Sequence, residues 1–277
     1  MNARIAIALA LTLSTGCSLI VEDEVRDLQP NLNGKRDVRV TLIDMNPHIG
    51  QYNDIQIIRP GDPDDPTSRS EVEARAIINP LPTGCFELFW PLGASFAANR
   101  VDFYADLNMD GMLSAPGEDH LWRRELVDSG DGEASLEFIH DVMFDDIGAD
   151  PAAEPLSDLI VNVTGQEAHD GQLLVISVTR DFRESPGAPA QQTTPGIMVI
   201  GAVAGGTISE TLPGVLDQGS EYTLDFDFGE GATICRGRIT ADAAGATVDS
   251  LDGWDCTVTD RRMVFRDVTS ERRCAEP

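Results

Sequence analysis

Apolar and polar residues alternate through much of this chain, and the alternation comes in blocks that repeat. Residues 38–59 (VRVTLIDMNPHIGQYNDIQIIR) align without a gap on residues 159–180 (LIVNVTGQEAHDGQLLVISVTR). Identities fall at Val40/Val161, His48/His169, Gly50/Gly171, Gln51/Gln172, Ile55/Ile176 and Arg59/Arg180. Each block alternates, breaks at a glycine-containing turn and alternates again, which predicts a strand, a turn and a strand.

Later landmarks keep the same order after small gaps. Trp90-Pro91-Leu92 matches Leu212-Pro213-Gly214, and Val101-Asp102-Phe103 matches Leu224-Asp225-Phe226. Trp122-Arg123-Arg124-Glu125-Leu126 lies opposite Cys235-Arg236-Gly237-Arg238-Ile239. Strands are short, turn residues recur at sandwich spacing, and no long helical periodicity is present. The pattern predicts an all-β protein of two tandem antiparallel β-sandwiches, Ig-like or transthyretin-like. One elongated sandwich is the alternative. The predicted domains are 36–147 and 157–277, joined by a linker at 148–156 whose sequence GADPAAEP suits a connection.

The N-terminus is a different kind of segment. One positive charge, Arg4, precedes an apolar run over 5–13 that only Thr12 interrupts, and Ser14-Thr15-Gly16-Cys17 closes it. A membrane-spanning helix needs ~20 apolar residues, so the run is too short to span and fits a secretory signal over 1–16. Small residues before a cysteine resemble the bacterial lipobox, although Ser14 stands at the usual leucine position and Leu13 one place earlier. That resemblance implies lipid attachment to Cys17 and a chain anchored to a membrane through it. An ordinary signal peptide with an incidental cysteine is the alternative. Ser18, by resemblance to the sorting rule of envelope lipoproteins, implies the outer membrane. Residues 17–35 are polar and acidic, with Pro30 and Asn33-Gly34, and read as a flexible tether.

Composition narrows the function. The net charge of −27 and pI near 4.2 argue against nucleic acid as a partner, since phosphates require lysine and arginine. A hydrophobic fraction of 42% permits a real core. Apart from Cys17 there are four cysteines, an even number that predicts two disulfides in an exported protein. The preferred pairing is Cys235 with Cys256 and Cys85 with Cys274.

Three groups of residues carry candidate chemistry. Asp106-Leu107-Asn108-Met109-Asp110-Gly111-Met112 has the D-x-N-x-D-G spacing that converges oxygen ligands on a calcium ion. Asp106, Asn108, Asp110, the carbonyl of Met112, Glu118 and Asp119 form the predicted ligand set. Gly117 takes the position of the bidentate acid and Pro116 opposes a following helix, so this is no EF-hand. An acidic turn without metal is the alternative reading. The second block has Gly229-Glu230-Gly231-Ala232 here instead. His48, His120 and His140 all lie in the first block and are a candidate transition-metal set, although their spacing does not require them to meet. His48 and His169 share a turn position, which fits a structural role. Trp90, Trp122 and Trp254 could form a sugar-binding platform or pack in the core. The nucleophile elbow, the zinc-protease histidine pair and the phosphate-binding loop are absent from the sequence.

The first block, with its DxNxDG loop, Asp119-His120-Leu121-Trp122-Arg123 and later Phe138-Ile139-His140, resembles repeats in poorly characterised bacterial envelope proteins. That resemblance implies a β-sandwich at the cell envelope and supplies no activity. The sequence therefore reads as a non-enzymatic envelope lipoprotein, a binding or structural module with a Ca2+-stabilised loop. Its partner would be an unknown envelope protein or glycan. A metal or small-ligand carrier using the histidines is the alternative, and an envelope hydrolase ranks third.

Overall fold

The computed structural model describes residues 34–274 except Pro66, 110–118, Asp131, 146–155, 183–189, Glu230 and 272–273. The signal and tether up to residue 33, Cys17, most of the linker, and Asp110, Met112 and Glu118 lie outside the described residues. The rest is all-β, and among the described residues no helix is long and apolar enough to cross a membrane.

Among the described residues, eight strands form the first half: β1 Lys35–Ile43, β2 Tyr52–Arg59, β3 Glu71–Ile78, β4 Phe86–Ser95, β5 Arg100–Asp106, β6 His120–Glu125, β7 Val127–Asp128 and β8 Glu133–Ile139. The second half starts with β9 Ser157–Val163, β10 Leu174–Phe182, β11 Gln191–Ile200, β12 Ile208–Leu216 and β13 Glu221–Phe228. It continues with β14 Thr233–Thr240, β15 Ala246–Val248, β16 Asp255–Val258 and β17 Phe265–Asp267.

The two halves share a topology. In the first, β4-β1-β8 pack on β3-β2-β5-β6; in the second, β12-β9-β15 pack on β11-β10-β13-β14. Each small sheet contains one parallel pair, β1 with β8 and β9 with β15, within an otherwise antiparallel plan. Period-two burial drives the layering. On β13, Tyr222, Leu224, Phe226 and Phe228 enter the second core, while Thr223, Asp225 and Asp227 face the other way.

The halves also join. β11 pairs in parallel with β3, with Ile197 beside Ala76, Met198 beside Ile77 and Val199 beside Ile78, so the two larger sheets become one nine-stranded sheet. Alternate residues at this seam serve different cores. Ala76, Ile78, Ile197 and Val199 belong to the first, and Ile77, Met198 and Ile200 to the second. The two small sheets therefore cover opposite faces of the long one.

The C-terminal segment crosses back to the first half. There β17 pairs with β4, Val264 and Phe265 enter the first core, and Cys85 is bonded to Cys274. A second disulfide joins Cys235 on β14 to Cys256 on β16. Two disulfides fit an oxidising compartment outside the cytoplasm.

Candidate functional site

The repeat is exact in hydrogen bonding at the turn that carries the paired histidines. Asn46–His48 and Glu167–His169 are both single 3-10 turns. The backbone N–H of Gln51 donates to His48 O, and that of Gln172 to His169 O. Gly50 and Gly171 both have positive φ, 89° and 75°, where a side chain would be strained. In each turn the histidine Nδ1 lies on the glutamine Oε1, 2.8 Å for His48–Gln51 and 3.0 Å for His169–Gln172. A carbonyl oxygen only accepts, so Nδ1 carries the proton and Nε2 keeps its lone pair.

What surrounds the two rings differs. In the second half Phe228 stacks on His169 with centroids 4.0 Å apart. The equivalent residue on β5 is Ala105, and its cross-strand partner is His120, where the second half pairs Phe228 with Thr233. The small side chain leaves room, and His120 stands beside it with its ring centroid 5.3 Å from that of His48.

His140 comes from the end of β8. The parallel pairing of β8 with β1 carries through to His140, whose N–H donates to Ile43 O, and this brings the ring over the turn. His48 Nε2 and His140 Nε2 are 3.1 Å apart. The following residues fold back along β6, held by Arg124 to Asp141 at 3.0 Å and to Asp145 at 2.8 Å. Phe144 then stacks on His120 at 3.8 Å between centroids. Trp122, fully buried, floors the group at 5.4 Å from His48 and 5.6 Å from His140. The three candidate histidines are thus together in space.

Burial makes two of these rings less basic. Desolvation lowers the His48 pKa and the neighbouring His140 and His120 lower it further, against the hydrogen bond that His48 donates to Gln51, which raises it. His120 is lowered by desolvation first and by His140 second, with Asp119 opposing. His120 Nδ1 is buried and has no hydrogen-bond partner among the described residues. Among the described residues, no three His, Cys, Asp or Glu side chains are already closed around a point where a metal could sit.

The acidic loop begins where β5 ends. Asp106 is buried and its Oδ1 accepts from the N–H of Met109, while Asp119, also buried, accepts from the N–H of Leu107 at 3.0 Å. These bonds draw the two ends of the loop together, and Asn108 is exposed. The indoles are packed. Trp90 and Trp122 are core residues, and Trp254 meets Phe226 edge-on at 5.1 Å. A cleft of about 310 Å³ lies beside Arg180 and Glu221. Its Glu221 is already engaged, by Arg238 at 3.2 Å.

No family model and no curated protein matches this chain. Solved structures give distant likenesses. The shaft pilin SpaA from Lactobacillus rhamnosus GG, in a double-mutant form, is 13% identical with a TM-score of 0.20, over 78% of this chain and 96% of that one. A proposed cell adhesion protein from Bacteroides eggerthii is 9% identical with a TM-score of 0.25, over 86% and 95%. A proposed adhesin from Bacteroides ovatus is 11% identical with a TM-score of 0.14, over 82% and 87%. Superpositions this loose carry no argument, and the fold rests on the strand order and burial described above.

Gln51 and Phe144 belong to the histidine site and were not singled out from sequence as its members. For Gln51 a signal existed, since the His-x-x-Gln spacing is identical in both copies. For Phe144 there was none.

Proposed function

We propose that this chain is a non-enzymatic module of the bacterial cell envelope, anchored by lipid on Cys17 at the outer membrane, which binds another envelope protein or a glycan. The observation that carries this reading is the β3–β11 seam together with the Cys85–Cys274 bridge. They make two sandwiches into one braced body, an architecture suited to holding a surface at a fixed distance from its anchor. A doubly or triply acylated cysteine is a stable membrane anchor, because each buried methylene adds about 0.8 kcal/mol.

Calcium at the loop after β5 is part of the same proposal, held by Asp106, Asn108, Asp110, the carbonyl of Met112, Glu118 and Asp119. Buried Asp106 and Asp119 at the two ends of the loop support it. Cell fractionation tests the anchor: the native chain partitions with membranes, and Cys17→Ser moves it to the soluble fraction. Equal partitioning of both overturns lipidation. Thermal melting tests the loop, with calcium expected to raise Tm after EDTA treatment in the native chain and not in Asn108→Ala.

A further inference from the structure

We propose that His48, His140 and His120 form a binding site for one late first-row divalent ion, copper(II) or zinc(II), at the end of the first sandwich. This goes beyond the envelope-module reading and does not depend on it.

The internal repeat supplies the comparison. The same turn occurs twice, with the same histidine–glutamine bond. In the second half the ring is capped by Phe228 and Phe228 faces Thr233, which is ordinary packing. In the first half the capping position is Ala105 and two further imidazoles fill the space. A turn that needed only its own histidine would not require the other two.

The geometry suits a metal. Two nitrogens bound to a tetrahedral ion at 2.0–2.1 Å lie roughly 3.3 Å apart. His48 Nε2 and His140 Nε2 are 3.1 Å apart. Gln51 fixes the tautomer of His48 so that its lone pair is the one presented to His140, the role an outer-shell partner plays for ligating histidines. Without metal this contact requires His140 Nε2 to donate a proton to His48 Nε2. Binding through both Nε2 atoms requires that proton to move to His140 Nδ1, which leaves His140 a neutral imidazole with its Nε2 lone pair free. As the rings stand, no three His, Cys, Asp or Glu side chains among the described residues could hold an ion, so the third donor has to be brought in by movement. His120 stands partly exposed beside the pair, with Nδ1 buried and without a hydrogen-bond partner among the described residues, and a reorientation of its ring would supply the third nitrogen.

Ligand type selects the ion. Three neutral imidazoles suit copper and zinc, whereas calcium and magnesium require oxygen. The four cysteines of the folded body are all in disulfides, so no thiolate joins the set.

Titration calorimetry on the purified full-length chain, without a histidine tag and with calcium in excess, tests this using copper(II) and zinc(II). One equivalent is expected to bind, with electron paramagnetic resonance of the copper form showing coupling to imidazole nitrogens. His140→Ala and His120→Ala are each expected to weaken binding about tenfold or more, and His169→Ala to leave it unchanged. Circular dichroism melts of the same variants confirm that they are folded. Absence of a one-equivalent site, or folded His140→Ala and His120→Ala variants that bind like the native chain, overturns the proposal. Neither outcome bears on the lipid anchor.

Discussion

Asp102 on β5 and Arg123 on β6 face each other across the sheet in a two-pronged ion pair, Nε to Oδ1 at 2.9 Å and the terminal nitrogen to Oδ2 at 2.8 Å. Asp225 and Arg236 repeat it in the second half, at 2.6 and 2.8 Å. Both aspartates are nearly buried, and each also meets a second guanidinium, from Arg100 or Arg262. The repeat is therefore chemical as well as topological.

Removing one carboxylate from such a pair leaves arginine charge without its counterion. Asp102→Asn is expected to destabilise the protein by about 1–3 kcal/mol, below the range for fully buried pairs because Arg123 is partly exposed. Urea melts of Asp102→Asn, Arg123→Met and the double variant form the check. A double variant as unstable as the two single effects added would mean the pair is not coupled.

The seam predicts cooperative unfolding. Ile77 lies on a first-half strand but packs in the second core, and Met198 is its neighbour across the β3–β11 pairing. Ile77→Ala is expected to cost about 2–5 kcal/mol and to lower the midpoint of one shared transition. Calorimetry showing two separate transitions, only one of them displaced, would refute the coupling.

Glu210 gives a pH dependence whose sign can be worked out. Burial pushes its pKa from 4.5 up to about 7, against the bond from Asn79 that lowers it. A carboxyl with a raised folded pKa favours the folded state only while protonated, so its cost is absent below the unfolded value of 4.5 and complete above about 7. Glu210→Gln keeps an acceptor for Asn79 and removes the charge. It is expected to raise Tm relative to the native chain at about pH 8, with the gain vanishing by about pH 4. A gain independent of pH would rule out ionisation as its cause.

The two disulfides close loops of very different length, with sequence separations of 189 for Cys85–Cys274 and 21 for Cys235–Cys256. Chain entropy alone gives ~5 kcal/mol for the long loop and ~3 kcal/mol for the short one. Serine replacement of both cysteines is therefore expected to lower stability more for the first pair. Losing that bridge should also free the end of the C-terminal segment, measurable as faster amide exchange around β17. The reverse order of stabilities would contradict the entropic account.

The sequence by itself determined the strands and the repeat. Alternation marks which side of each strand is apolar, so the all-β fold was legible, and the aligned 38–59 and 159–180 blocks become the same strand–turn–strand unit. The His-x-x-Gln turn was legible for the same reason, because its bonds lie within four residues. An even cysteine count predicted disulfides.

Tertiary structure alone decided which strands became neighbours. Periodicity says that a face is buried and not what buries it. The uninterrupted apolar runs Ala76-Ile77-Ile78 and Ile197-Met198-Val199-Ile200 are the local trace of strands buried on both faces. Their pairing with each other is a contact between distant segments. The histidine site depends on such a contact, since β8 lies parallel to β1 and delivers His140 to the turn that holds His48. No spacing along the chain encodes that meeting, because residues 92 positions apart are joined only by the sheet between them.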